Sequence, residues 1–178
     1  VSAVTLLAAH RTGALIVFER KTGLDEVIAT GIPLDAQVSA ELLETIFYKG
    51  TAMHDGAVVV RQGKVVAAAC VLPLTDRPRL DGAIHTRHKA AIGMSENSDA
   101  VVVVVSEETG TISLAFEGKL VRGLTEERLR ERLNALLQPG DIAGISGGLS
   151  QIRTRGLRPA QRSRRPTVRK SQPTRGPR

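Results

Sequence analysis

The sequence predicts an α/β fold, a single domain in which a central mixed β-sheet is flanked by helices on both sides. Short apolar runs of strand length alternate with segments whose apolar residues recur at helical spacing, which is the pattern of a sheet covered by helices. The apolar run at residues 100–105 includes five consecutive valines, as expected of a strand buried on both faces. The chain has 178 residues, 42% of them hydrophobic, which is enough for a substantial core.

The first half of the chain contains two predicted helices, at residues 1–10 and from Ser39 to Gly50, because their apolar residues lie at helical spacing. Residues 24–29 fit either a turn of helix or a short strand. Residues 31–33, Gly-Ile-Pro, are predicted to be a loop, since glycine and proline interrupt regular structure. Strands are predicted at residues 14–18, 58–60 and 64–72, with a hairpin turn at Gln62 and Gly63.

In the second half, residues 73–82 are predicted to be a polar loop of ordinary surface character. Glu126 and Glu127 follow Thr125, as the dipole at a helix start prefers. The predicted elements are a helix that begins near Thr86, strands at residues 100–105, 111–116 and 119–122, and a helix that begins at Thr125 and is ended by Pro139 and Gly140. One domain is therefore expected over residues 1–140.

Positive charge is concentrated in the C-terminal tail. Residues 151–178 hold nine Arg, one Lys and no acid, whereas residues 1–150 hold 15 basic and 18 acidic residues. The tail also has four prolines and few large apolar residues, so residues 141–178 are expected to be a glycine-rich linker and a disordered basic tail. Such a tail could contact nucleic acid, but the lack of interleaved aromatic residues argues against that partner.

The lone cysteine, Cys70, lies in an apolar strand and is expected to be a small buried hydrophobe. An internal disulfide framework is thereby excluded, and the chain fits a reducing compartment. No run of about 18 apolar residues is present in the sequence, and no signal-peptide pattern opens it. Because the sequence begins with Val1 rather than Met, a preceding portion of the parent protein is expected.

Three motifs could carry chemistry, and the first is His54-Asp55-Gly56-Ala57 before a buried strand. Gly56 would let a ligand approach the backbone, and Asp55 could accept a hydrogen bond from a sugar hydroxyl or bind a metal. His54 could supply an imidazole ligand. A plain turn capped by the aspartate explains the same residues equally well.

The second motif, Thr86-Arg87-His88-Lys89, lies at a predicted helix start, where unpaired backbone N–H groups and the helix dipole favour phosphate. Basic residues there oppose the dipole, and a bound anion would explain their presence. His85 lacks such a context and is predicted to be structural. The alternative is a solvated helix start.

The third motif is Ser106-Glu107-Glu108, which follows the valine strand. Carboxylates at a strand end are suited to a divalent cation. Alone, the pair of glutamates would more simply be two solvated turn residues.

Together, the three motifs closely resemble those of the diadenylate cyclase domain. The resemblance rests on residues 51–57, 67–74, 86–93 and 106–110, extends upstream to the segment 11–20, and covers about residues 1–138. Among the branches of the family, the chain is most similar to the catalytic domain of the membrane-anchored cyclase. The transmembrane helices of that branch would precede Val1 and place the domain at the cytoplasmic face of the membrane.

The resemblance implies that two ATP molecules are condensed into cyclic di-AMP and two pyrophosphates, at the interface of two face-to-face subunits. It implies Mn²⁺ or Mg²⁺, with Co²⁺ a further candidate, and partners that include a membrane regulator and a phosphoglucosamine mutase. The implied residues are Asp55, Arg87, His88 and Glu107 for catalysis; Gly56, Ala57, Leu72, Thr86, Lys89 and Ser106 for substrate; and His54 and Glu108 for metal.

Two residues depart from the family pattern. Lys89 stands where the family usually has a second arginine, which keeps the charge but loses the bidentate fork. By the resemblance Leu72 would pack on adenine, and Val71 precedes it where the family often has an aromatic residue. The Lys89 departure motivates one alternative, a nucleotide sensor with little turnover, and the basic tail motivates another, a nucleic-acid-binding protein.

Overall fold

The computed structural model describes residues 1–77 and 85–137, and within them a seven-stranded sheet lies between helices. The strands are β1 (Ala14–Phe18), β2 (Ile32–Gln37), β3 (Ala57–Arg61), β4 (Lys64–Cys70), β5 (Val101–Val105), β6 (Ile112–Phe116) and β7 (Lys119–Arg122). The helices are α1 (Ser2–Ala9), α2 (Asp25–Ile28), α3 (Ala40–Phe47), α4 (Thr86–Asn97) and α5 (Glu126–Leu136).

The sheet is mixed, as the sequence predicts. Its strand order is β2-β4-β3-β1-β5-β6-β7. The central strand β1 runs parallel to β3 and antiparallel to β5, and the remaining neighbours pair antiparallel. Because β5 is antiparallel to β1, the C-terminal end of β5 lies beside the start of β1, and the start of β3 lies at the same edge.

Each face of the sheet has its own hydrophobic core, so the predicted placement of helices on both sides is confirmed. The valines of β5 show how this arises, since alternate side chains of a strand point to opposite faces. Val101, Val103 and Val105 pack with α1, α3 and α5, whereas Val102 and Val104 pack with Ala91 and Met94 of α4. An unbroken apolar run is therefore required at this position.

The predicted loop at residues 31–33 is wrong, because Ile32 and Pro33 begin strand β2. Among the described residues this strand lies at the edge of the sheet and pairs with β4 alone, and its register shifts between Pro33 and Ala36. Edge strands tolerate a proline, which cannot donate a ladder hydrogen bond, and their exposure removes the hydrophobic pattern by which buried strands are identified. The ambiguous segment at residues 24–29 contains the short helix α2.

The predicted helix starts at Ser39 and Thr125 are confirmed by capping hydrogen bonds. The Ser39 hydroxyl accepts from the backbone N–H of Leu42, and the Thr125 hydroxyl accepts from that of Arg128. Helix α5 ends at Leu136. Its predicted terminators, Pro139 and Gly140, and the predicted tail at residues 141–178 lie outside the described residues.

The segment after β4 is attached to the domain more closely than expected of the surface loop predicted there. Thr75 is buried, its backbone N–H donates to the carbonyl of Lys89, and its hydroxyl donates to Glu96. Arg77 forms an ion pair with Glu96, 2.6 Å between Nε and Oε1. These contacts hold residues 75–77 against α4, and residues 78–82 of the predicted loop lie outside the described residues.

Cys70 is buried in β4, as predicted, and desolvation raises the pKa of its thiol to about 11. The thiol is therefore protonated and unreactive at neutral pH. Within the described parts of the chain, the helices are too short or too polar to cross a lipid bilayer.

Two buried serines allow a matched test of hydrogen bonding in the core. Ser113 of β6 has no partner for its hydroxyl in the described part of the chain, whereas the Ser95 hydroxyl of α4 donates to Ile92 and accepts from the N–H of Gly118. Leaving a buried polar group unpaired costs roughly 1–3 kcal/mol. We therefore expect Ser113→Ala to raise the free energy of unfolding by about 1 kcal/mol, measured by urea denaturation.

Ser95→Ala is the control and is expected to lower the free energy of unfolding by about 1 kcal/mol, because it leaves the N–H of Gly118 without its side-chain acceptor. Equal effects of the two substitutions would contradict the difference in hydrogen bonding.

Candidate active site

A cavity of about 690 Å³ lies at the sheet edge where β5 ends and β3 begins. It is formed by separate segments that the topology brings together: the turn before β3, the end of β4 and the chain after it, the start of α4, and the turn after β5. Its lining residues are Leu15, Asp55, Gly56, Ala69, Cys70, Val71, Leu72, Leu74, His85, Thr86, Arg87, His88, Ala90, Val105, Ser106, Glu107 and Glu108.

Asp55 and Gly56 reach the cavity through a turn that only glycine can complete. Gly56 has a φ of 118°, which L-amino acids rarely adopt, and a Cβ there would lie 2.6 Å from the carbonyl carbon of Ala69. The turn therefore packs directly on the end of β4 and leaves the Asp55 side chain exposed at the cavity wall. Ala57 begins β3 with its side chain fully buried in the core.

Helix α4 begins at the cavity with open backbone N–H groups. His85 occupies the N-cap position, and neither a capping side chain nor an acidic residue is found in this first turn. Thr86 and Arg87 line the cavity there. This start, with its dipole and its cation, is suited to an anion, as the sequence predicts. Lys89 is exposed and lies outside the cavity lining.

An ion pair and a histidine–carboxylate contact join the start of α4 to the turn after β5. Arg87 Nη1 is 2.9 Å from Glu107 Oε2, and His85 Nε2 is 3.1 Å from Glu108 Oε2. His85 is thus part of the cavity wall, in contrast to the structural role predicted for it. Ser106, buried in the same turn, also faces the cavity.

A smaller cavity of about 120 Å³ adjoins this site and is lined by Gly13, Phe47, Lys49, His54, Arg87 and Glu107. His54 Nδ1 lies 2.6 Å from the carbonyl oxygen of Thr51, to which it can donate, so that Nε2 is available as a metal ligand. The sequence-predicted metal residues are therefore split. His54 and Glu107 share the smaller cavity, whereas Glu108 lines the larger one.

The described residues contain no cluster of three or more His, Cys, Asp or Glu side chains that could hold a metal unaided. An imidazole and a carboxylate at one cavity still fit a divalent cation such as Mg²⁺, which typically takes few protein ligands and completes its shell with phosphate oxygens and water.

One wall of the larger cavity is apolar and comes from the chain around Leu72. Leu72 itself is buried, and Val71 and Leu74 are exposed at the cavity. Leu74 was missed by the sequence analysis because the segment after β4 was predicted to be surface loop. The sequence signal for this apolar wall was the pair of leucines, Leu72 and Leu74, on either side of Pro73.

His88 lines the cavity and is buried, with 1% of its surface exposed. Neither ring nitrogen has a hydrogen-bond partner in residues 1–77 or 85–137. Burial, aided by the positive charge of Arg122 and by His85, lowers the pKa of His88 to about 4. The imidazole is therefore neutral at physiological pH and can both donate and accept a hydrogen bond.

Comparison with known proteins agrees with this geometry. The model of the family described as "DAC: DisA bacterial checkpoint controller nucleotide-binding" matches residues 1–120. The chain belongs to the diadenylate cyclase family. The family resemblance drawn from the three motifs is thereby confirmed.

Individual relatives support the same assignment. The cyclic di-AMP synthase CdaA of Bacillus subtilis is 50% identical over 133 residues, which are 75% of this chain and 49% of that protein. A crystal structure of a double mutant of DacA from Staphylococcus aureus matches with a TM-score of 0.74 and 48% identity, covering 75% of this chain and 89% of the other. The chain spans about half the length of the curated relatives it matches.

A solved structure from Bacillus cereus, described as a hypothetical membrane spanning protein, matches with a TM-score of 0.67 and 49% identity. The match covers 70% of this chain and 61% of that chain. These similarities confirm the predicted α/β fold, and the relatives that they name include CdaA and DacA.

The depressed pKa of His88 predicts a pH-dependent stability. Between about pH 6.5 and about pH 4 the unfolded chain binds a proton at this residue and the folded chain does not. The free energy of unfolding should therefore fall as the pH falls through this window, by an amount on the order of 1–3 kcal/mol. Urea denaturation at several pH values measures this loss.

The comparison protein is His88→Gln, which has no titrating group at this position and should lose this part of the pH dependence. Parallel pH profiles for the two proteins would contradict the shifted pKa.

Proposed function

We propose that this domain is a diadenylate cyclase, which condenses two ATP molecules into cyclic di-AMP with release of two pyrophosphates. The observation that supports this function most directly is that one cavity combines Asp55, an uncapped helix start bearing Arg87, and an apolar wall at Leu72. A nucleotide requires these three kinds of surface, for its ribose, its phosphates and its base.

In the proposed complex, adenine packs against Leu72 and Leu74, and the phosphates meet the start of α4. Thr86, Arg87 and Ser106 contact the phosphates. Binding to helix N–H groups and a guanidinium is a recurrent way to hold phosphate. The ribose then lies at Asp55 and Gly56, where the absent side chain of the glycine gives access to the backbone.

The reaction forms one P–O bond and breaks another at each nucleotide. The 3′-hydroxyl oxygen of one ATP attacks the α-phosphorus of the other, the bond to the bridging oxygen of the β-phosphate breaks, and pyrophosphate leaves. Asp55 either accepts the hydroxyl proton or orients the hydroxyl. Arg87 offsets the charge that develops on the phosphate oxygens, and positioning and charge compensation are the main sources of rate in such transfers.

A single copy of the chain is not enough for this chemistry in our proposal. A cavity of about 690 Å³ is in the range that holds one small-molecule ligand, so each subunit supplies one ATP. Cyclic di-AMP consists of two identical halves, and a two-fold symmetric pair of subunits with facing cavities would supply both attacking hydroxyls in the same way.

A divalent cation, Mn²⁺, Mg²⁺ or Co²⁺, belongs to the proposed site. His54 and Glu107 would hold it, with Glu108 as a further carboxylate nearby. When bound, such an ion supplies neutralisation of phosphate charge. The hydrogen bond from His54 Nδ1 to Thr51 supports the ligand role, since this kind of contact fixes the tautomer of metal-binding histidines.

The parent protein is proposed to be anchored in the membrane by helices that precede Val1, with the catalytic domain at the cytoplasmic face. A membrane regulator and a phosphoglucosamine mutase are the proposed partners. The family resemblance supports these points, and the similarity to the Bacillus cereus protein described as membrane spanning supports the anchor.

The central test replaces Asp55 with asparagine, which keeps the shape of the side chain and removes its charge. With ATP and Mn²⁺ we expect cyclic di-AMP from the parent domain and a decrease of about 10²–10⁴-fold in the variant, with ATP binding retained. Chromatography with mass detection measures the product.

The matched control is Asp35→Asn on edge strand β2, where the exposed carboxylate forms a surface ion pair with Lys64. It should keep the parent rate. If the parent dimer binds ATP but releases no pyrophosphate, the domain is a nucleotide sensor and the cyclase proposal is wrong.

Metal removal gives an independent prediction. Treatment with a chelator should abolish product formation, and added Mn²⁺ or Mg²⁺ should restore it in the parent domain. In His54→Ala, restoration should require at least about tenfold more metal, because one of the two proposed protein ligands is missing. Unchanged metal dependence in this variant would exclude His54 as a ligand.

A further inference from the structure

We propose that Gly13 is a positioning residue of the active site, which acts by leaving room for the guanidinium of Arg87. Gly13 immediately precedes β1, is buried, and belongs to the segment 11–20 rather than to any of the three motifs that could carry chemistry. It lines the smaller cavity together with Arg87 and Glu107.

The sheet register places Gly13 at this point. Ala14 pairs with Val105 in the antiparallel ladder of β1 and β5, so the residue before β1 lies beside the turn that carries Glu107. A Cβ on Gly13 would be 2.8 Å from both Cζ and Nη1 of Arg87 and 3.1 Å from Cβ of Glu107. These distances are shorter than normal contacts between carbon and nitrogen or carbon atoms.

Arg87 and Glu107 line both the larger and the smaller cavity, so their ion pair forms the partition between the two. Gly13 touches this partition from the side of the smaller cavity. A methyl group there would push the guanidinium away from Glu107 and toward the larger cavity. The distance of 2.9 Å between Arg87 Nη1 and Glu107 Oε2 therefore depends on the absence of a side chain at residue 13.

A substitution at Gly13 can act on Arg87 without unfolding the chain. The backbone of Gly13 is not in the left-handed region, so alanine adopts its conformation without strain. The atoms closest to the added methyl belong to the end of a long side chain, which can rotate away. The expected result is a folded protein with a displaced guanidinium.

The functional consequence rests on the proposed cyclase activity. Arg87 compensates charge on the phosphates only when its guanidinium is correctly placed, and misplacement by about 1 Å can cost about 10²-fold in rate. In Gly13→Ala we therefore expect kcat to fall by roughly 10- to 100-fold, with a smaller change in KM. Gly23→Ala is the matched control, since a Cβ there meets only Asp25 Oδ2 at an ordinary 3.4 Å.

A double-mutant cycle distinguishes positioning from a general structural effect. If Gly13 acts through Arg87, Gly13→Ala should have no further effect on kcat or on ATP affinity in the Arg87→Ala background. A merely structural role would give the same loss in both backgrounds and would overturn the proposal.

Two readouts that need no turnover, ATP affinity and the crystal structure, test the role of Gly13 even if the cyclase proposal fails. If the parent binds ATP without turnover, the cycle is carried out on ATP affinity alone. If it binds no ATP, the crystal structures of the parent and of Gly13→Ala decide. Loss of the Arg87–Glu107 pair in the variant supports the proposal, and an unchanged pair at 2.9 Å in both overturns it.

Discussion

The pairing of β1 with β3 on one side and with β5 on the other is the constraint on which the site depends. These three strands lie at the centre of the sheet and are buried on both faces. Because β5 runs opposite to the other two, its last residues meet the first residues of β1 and β3 at one edge. Asp55, Ser106 and Glu107 are far apart in sequence, and the strand directions alone are enough to bring them to one cavity.

The electrostatics at this edge follow from what α4 lacks. A helix start without an acidic residue or a side-chain cap leaves its backbone N–H groups available, and Arg87 adds a full charge that the dipole does not favour. The glutamate turn after β5 balances that charge through the ion pair Arg87–Glu107, and Glu108 contacts His85 beside it. The site is therefore held together by opposite charges while it still presents donors to an anion.

The sequence predicts the buried parts of this molecule well and the exposed parts poorly. The valines of β5 permit little other than a central strand, and Ser39 and Thr125 mark helix starts through their own hydrogen bonds. Strand β2 was missed because an edge strand with Pro33 and exposed side chains lacks an apolar pattern. His85 and Gly13 were missed for a different reason. Their importance depends on what lies beside them in space, which neither spacing nor residue type reveals.

The attachment of the segment after β4 to α4 lets this helix fix the distance between two parts of the cavity. Its first turn carries Thr86 and Arg87, and its body holds the chain that supplies Leu72 and Leu74, through the bond from Thr75 N–H to Lys89 and the Arg77–Glu96 pair. One rigid element therefore sets the spacing between the anion-binding end and the apolar wall. The cavity therefore selects a ligand by the distance between its anionic and apolar groups as well as by the groups themselves. A molecule that carried the same groups at a different separation would contact only one end of the cavity.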